Sequence, residues 1–138
     1  MNKIKFGVIG CGHIGKRHAT MVQQNDECEL IALCDAADKD TLGLEGLDVP
    51  FYNTPEEMLA NEPGIDVVCI CTPNGYHFRH ASLCLDHHKH VLVEKPMALT
   101  KAHCEELIYK ALNVSKNVFC VMQNRYSPPS VWLKELVT

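Results

Sequence analysis

Apolar residues along this chain fall in short runs, separated by stretches of mixed polarity with helical spacing. The runs "IKFGVIG" (4–10), "ELIALCD" (29–35), "DVVCICT" (66–72), "HVLVEKP" (90–96) and "NVFCVMQN" (117–124) each predict a strand, and "PFY" (50–52) a brief one. "DVVCICT" lacks apolar–polar alternation, as expected of a strand covered on both faces. Helices are predicted over 14–24 and 75–86. "TPEEMLANEPG" supplies Thr54 as a cap, Pro55 at the first helical position and acidic residues in the first turn. Thr100 caps the clearest helix, on which Cys104, Leu107, Ile108, Ala111 and Leu112 share helical spacing. The stretch 36–50 is interrupted by glycine and predicts at most a short helix. Ser127 and Pro128 open a last helix carrying Val131, Trp132, Leu133 and Leu136. Strands alternating with helices imply an α/β fold, a doubly wound parallel sheet with helices on both faces. Neither an internal repeat nor an interdomain linker interrupts the pattern, so residues 1–138 read as a single domain.

Composition removes several function classes. A formal charge of -4 without basic blocks gives no nucleic-acid footprint. Apolar runs stay well short of the roughly 18 residues that a membrane span needs. The N-terminus has too short an apolar part for a signal peptide, and a cytoplasmic location is expected. Eight cysteines invite a disulfide or metal reading. However, Cys34, Cys69, Cys71 and Cys120 lie inside apolar runs, Cys69 and Cys71 are spaced CxC, and no CxxC pair occurs. They read as structural thiols of a reducing compartment. His87, His88 and His90 match no common metal spacing, and no metal is expected.

Chemistry concentrates where strands end. In "GVIGCGHIGKRHA" (7–19), Gly10, Gly12 and Gly15 form GxGxxG between a strand and a helix. Gly10 permits a tight turn, Gly12 lets backbone approach a pyrophosphate, and Gly15 allows close helix–sheet packing, with His13 and Ile14 opening the helix. That helix end offers unpaired N–H groups to phosphates. Asp35 ends the second strand, twenty residues after Gly15, where a carboxylate accepts hydrogen bonds from ribose hydroxyls. It would repel a 2′-phosphate, and Ala36 and Ala37 supply no cation, which favours NAD over NADP. The rival reading is a glycine turn with an acidic residue there by chance.

Two further segments stay open on residue chemistry alone. Thr72, Pro73 and Asn74 in "CTPNGYH" are either ligand contacts at the carboxyl end of a strand or turn formers. Lys95 is either a lysine desolvated in a crevice for proton transfer or a solvated one paired with Glu94. Arg125 and Tyr126 in "QNRYSPP" are ligand contacts or loop anchors.

The combination "GVIGCGHIGKRHA", "ALCD", "CTPNGYHFRHA", "HVLVEKPMALT" and "QNRYSPP" resembles the Gfo/Idh/MocA oxidoreductases, in the family's order over nearly the whole chain. The last segment is most similar to members acting on nucleotide-activated sugars. The resemblance implies a Rossmann-type domain binding NAD, with Lys95 as the catalytic lysine between substrate and nicotinamide. It puts Thr72, Pro73, Asn74 and His77 at the cofactor-side turn, Glu94 at the nicotinamide pocket, Gln123 beside the cofactor, and Arg125 and Tyr126 toward substrate. The implied reaction moves a hydride from a sugar or nucleotide-sugar carbinol to NAD, with Lys95 assisting proton transfer.

Two departures stand out. His88 occupies a helix end where the family has glycine in left-handed geometry. Family members also continue into a second α/β domain that supplies most of the substrate pocket. The chain is therefore expected to be a truncated piece, a gene fragment or a solitary cofactor domain, inactive alone. Alternatives are a stand-alone NAD-binding sensor or partner subunit, or an enzyme completed by another chain or a homo-oligomer.

Overall fold

The computed structural model describes residues 2–121 and 128–137, with side-chain burial described for 2–121 and 131–136. Six strands form one parallel sheet: β1 (Ile4–Ile9), β2 (Cys28–Cys34), β3 (Phe51–Tyr52), β4 (Val67–Ile70), β5 (His90–Val93) and β6 (Val118–Cys120). They lie in the order β3-β2-β1-β4-β5-β6, every adjacent pair parallel. Connectivity runs outward from β1 to β3, then returns to β4 on the other side of β1. That reversal is the topological switch point, where a Rossmann sheet opens a ligand crevice beyond its carboxyl ends.

The side chains of one strand alternate between two cores. Ile9, Val68, Ile70, Val91 and Val93 face α2 (Pro55–Asn61), α3 (His77–Asp86) and α4 (Lys101–Asn113), meeting Met58, Leu85 and Leu107. Val8, Leu33 and Cys69 face α1 (His13–Gln24) and the 39–50 stretch, meeting Ala19, Val22, Leu44 and Leu47. Burying each large aliphatic side chain contributes about 1.5–3 kcal/mol. Near-complete apolar runs in β1, β4 and β5 follow from this two-sided cover.

The expected elements are present, with shifted ends. α2 begins as read: Thr54 Oγ1 accepts from Glu57 N–H (3.2 Å), with Pro55 at the first position. Thr100 Oγ1 likewise accepts from His103 N–H (3.1 Å) to cap α4. The 36–50 stretch forms only the 3₁₀ turn Lys39–Thr41. A 3₁₀ turn, Asn74–Tyr76, precedes α3, which starts two residues later than the predicted 75. Part of the apolar stripe predicted for α4 is not core: Leu107 and Ala111 are buried, but Ile108 and Leu112 are 50% and 73% exposed. The helix packs toward α3 and β6 at the edge of the sheet, so only a narrow face is covered. The last helix, α5 (Pro128–Val137), leaves Val131, Trp132, Leu133 and Leu136 exposed. No helix among the described residues is long and apolar enough to cross a membrane.

His88 sits at φ +59°, the left-handed conformation expected at that helix end. The chain closes α3 there regardless: His88 N–H donates to Leu85 O and Lys89 N–H to Cys84 O. All eight cysteines are free thiols.

Candidate active site

At the end of β1 the chain turns at Gly10, whose φ is +94°. A Cβ there would stand 2.6 Å from the Cys71 carbonyl carbon, so glycine is required both by conformation and by space. A Cβ on Gly15 would overlap the Gly10 carbonyl oxygen, which is how α1 comes so close to the turn. Gly12 differs. It is the N-cap of α1, at φ −73°, and nothing lies within 4 Å of where its Cβ would be. No side chain caps this helix, so its first-turn N–H groups and positive dipole end remain available to an anion.

Gly10 and Gly12 border a cleft of about 810 Å³ that also takes in Ile9, His13, Ile14, Asp35, Thr72 and Pro73. Asp35 joins its two sides. Oδ2 accepts from Cys11 N–H at 2.7 Å, and Oδ1 accepts from Ala37 N–H at 2.8 Å. The carboxylate thus anchors the glycine turn to the end of β2. It uses about two of its roughly four lone-pair sites and keeps the rest for a ligand. Asn53 Nδ2 donates to the carbonyls of Asp35 and Ala37, fixing the same corner from the end of β3.

Several cleft residues lie within the quoted segments without having been assigned a role there. Tyr76, Arg79 and His80 form the wall above Thr72, and Glu56 stands opposite. Tyr76 stacks on His80 at 5.6 Å, and His80 Nδ1 bonds the Thr72 hydroxyl at 3.0 Å. Burial, then the nearby Arg79 charge, pushes His80 below its ordinary 6.5, which favours the neutral ring. Arg79 faces Glu56 at 3.9 Å. A helical register of three and four residues after Tyr76 was the available signal for this wall.

A second cavity, of about 450 Å³, opens between α1 and the β4–β5 side of the sheet. Ile14 borders both cavities, and Glu94 borders this one. Glu94 is buried and does not pair with Lys95; its Oε1 accepts from His18 Nε2 at 2.7 Å. His18 lies inside "GVIGCGHIGKRHA" but has no role assigned from the sequence. It stands four residues after Ile14 and four before Val22, a polar group on the inward side of α1.

The remaining candidates separate. His77 is 1% exposed; its Nδ1 and Nε2 each lie 2.7 Å from a backbone carbonyl, of Pro96 and Thr72 respectively. The structure therefore puts its ring beneath the turn, holding the two loops together, instead of in the cleft. Asn74 is exposed on the turn itself. Lys95 is exposed just beyond β5, before a cis bond to Pro96, as in the solvated of its two readings, although its expected partner Glu94 pairs with His18 instead. Gln123, Arg125 and Tyr126 lie outside the described residues.

Burial disfavours the thiolate form of the cysteines around the cleft. Burial pushes Cys11 and Cys34 up to about 12, reinforced by Asp35 and, for Cys34, by Cys11, and Cys71 is driven higher still. No group of three or more metal-ligating side chains occurs among the described residues.

Known proteins share this arrangement. A model of an oxidoreductase family with an NAD-binding Rossmann fold matches residues 4–122. D-glucoside 3-dehydrogenase of Escherichia coli is 30% identical over 98% of this chain and 39% of its own length. Myo-inositol 2-dehydrogenase of Thermotoga maritima is 29% identical over 97% of this chain and 40% of its own. The WlbA dehydrogenase of Chromobacterium violaceum, solved with NADH and UDP-GlcNAcA, superimposes with a TM-score of 0.89. It is 31% identical over 98% of this chain and 39% of that one. The chain thus spans about 40% of the length of the curated relatives it matches. Glycine turn, anchored carboxylate and switch-point cleft agree with these matches: the chain belongs to the Gfo/Idh/MocA oxidoreductase family and corresponds to its NAD-binding Rossmann domain.

Proposed function

We propose that this chain is the cofactor half of an NAD-dependent dehydrogenase acting on a sugar or nucleotide-sugar carbinol. One observation carries the cofactor assignment: a single cleft holds an uncapped helix N-terminus behind Gly12 and a carboxylate, Asp35, tied to the same turn. The pyrophosphate fits the N–H groups of His13, Ile14 and Gly15, and the adenosine ribose fits the remaining lone pairs of Asp35. NAD is preferred over NADP because Asp35 and Glu56 both border the cleft, and Arg79 already faces Glu56. When bound, the nicotinamide supplies a two-electron hydride acceptor. Lys95 takes the hydroxyl proton as the carbinol C–H leaves as hydride, and in the reverse direction its ammonium returns that proton. Its exposure at the carboxyl end of β5 leaves it accessible to a substrate held above the sheet. Sugar chemistry is favoured by the D-glucoside and inositol dehydrogenases among the relatives, and a nucleotide-sugar by the UDP-GlcNAcA complex.

The test pairs turnover with binding in the enzyme that carries this chain, assayed with NAD and a panel of sugars and UDP-sugar acids. Lys95→Ala is expected to lower turnover about 100-fold or more while leaving NADH affinity within about 2-fold. Equal losses in both would make Lys95 a structural residue.

A further inference from the structure

We infer that His18 is a positioning residue for the nicotinamide end of the cofactor, acting through Glu94; the inference rests on the cofactor reading above. The contact is partly buried, with side-chain exposures of 17% and 11%, and joins residues 76 apart in sequence. A carboxylate only accepts, so His18 Nε2 carries the proton, and Glu94 is left with one oxygen committed and one with acceptor capacity. The cavity around this pair is lined mainly by apolar side chains, Phe6, Val22, Cys69, Leu92 and Val121 among them, with Arg17 and Asn25 the other polar residues on its walls. A carboxylate there needs a fixed partner, because an unpaired buried charge is costly.

Topology assigns this cavity its part of the ligand. The pyrophosphate belongs at β1 and Asp35 takes the adenosine side at β2, so the other nucleoside falls across the switch point, over β4 and β5. Ile14 borders both cavities, and Glu94 follows directly on the last residue of β5, Val93. The free Glu94 oxygen suits the carboxamide N–H₂ of a nicotinamide, and His18 determines which way that oxygen faces. His18 does so from α1, the helix whose N-terminus holds the phosphates, so both contacts are set by one rigid element.

ADP-ribose, which lacks the nicotinamide, separates this role from a general structural one. Calorimetric titration of wild type, His18→Leu and His18→Gln with NADH and with ADP-ribose is the experiment. His18→Leu is expected to weaken NADH about tenfold, the loss of the charge-assisted bond from the carboxamide to a Glu94 no longer held in place, and ADP-ribose less than twofold. His18→Gln, which keeps an N–H donor, is expected to restore NADH to within about threefold of wild type. Equal weakening of both ligands, or no weakening of NADH, would overturn the assignment. A wild type that binds neither would overturn the cofactor reading and this inference with it. Should His18→Leu not fold, the wild type answers by NMR: the His18 ring nitrogen signals shift with NADH and not with ADP-ribose. Shifts of equal size with both would count against the proposal.

Discussion

Replacing Asp35 by serine together with Ala36→Arg should turn cofactor preference toward NADPH. In the structure Asp35 accepts two backbone N–H groups, from Cys11 and Ala37, and borders the cleft at the end of β2. Two unit charges about 5 Å apart at an effective dielectric of about 20 repel by roughly 3 kcal/mol. Asp35 is partly solvated, so screening reduces that to about 1.5 kcal/mol against a 2′-phosphate. An arginine at 36 adds a charge-assisted bond of about 1.5 kcal/mol to the phosphate. Together the NADPH-to-NADH affinity ratio should rise about 100-fold. Serine keeps an oxygen for the Cys11 N–H, so the glycine turn should stay anchored and the melting temperature should change little. Parallel titrations of both cofactors into wild type and variant, with thermal unfolding as control, supply the ratio. An unchanged ratio in a folded variant would show that Asp35 only holds the turn and does not face the ribose.

The two glycines of the phosphate turn should fail in opposite ways. Gly12→Ala meets no atom of the protein and should leave the melting temperature within about 2 °C, yet fill the cradle and weaken NADH at least tenfold. Gly15→Ala drives its methyl into the Gly10 carbonyl and should destabilise by more than 2 kcal/mol in denaturant unfolding. His88→Gly relieves the left-handed strain at φ +59° and should stabilise by about 0.5–1 kcal/mol by the same measurement. Burial pushes the Cys69 thiol up from its ordinary 9 to about 12, and Cys11 and Cys34 similarly. Above pH 9 the unfolded thiols lose protons that the folded ones retain. Stability should therefore fall with rising pH between 9 and 12, by about 1.4 kcal/mol per unit per thiol, in denaturant curves taken along a pH series. Flat stability across that window would mean that the thiols are hydrated in the folded state.

Local chemistry was readable from sequence wherever one residue type served one local need. Thr54 and Thr100 signal their helix starts because a cap bonds only three residues ahead. Gly10, Gly12 and Gly15 mark the turn, and Asp35 follows from the spacing of the next strand. The family's glycine pattern also predicted the left-handed geometry that His88 adopts. Contacts between distant segments were not readable. Nothing near Glu94 in sequence points to His18, since the pair is created by α1 lying across the sheet. His77 looked like a ligand residue until both its nitrogens were found on backbone carbonyls from two different loops. Ile108 and Leu112 continue a helical stripe, but only the sheet edge decides how much of that stripe is covered.

Whether the cleft behind Gly12 takes a dinucleotide is read most directly by mapping backbone amide signals of the isotope-labelled chain during an NADH titration. Saturable shifts in the micromolar range, about −8 kcal/mol, are expected, largest at Cys11, His13, Ile14, Gly15 and Ala37. Absence of shifts in the folded protein, or shifts confined to residues away from the glycine turn, would contradict dinucleotide binding there.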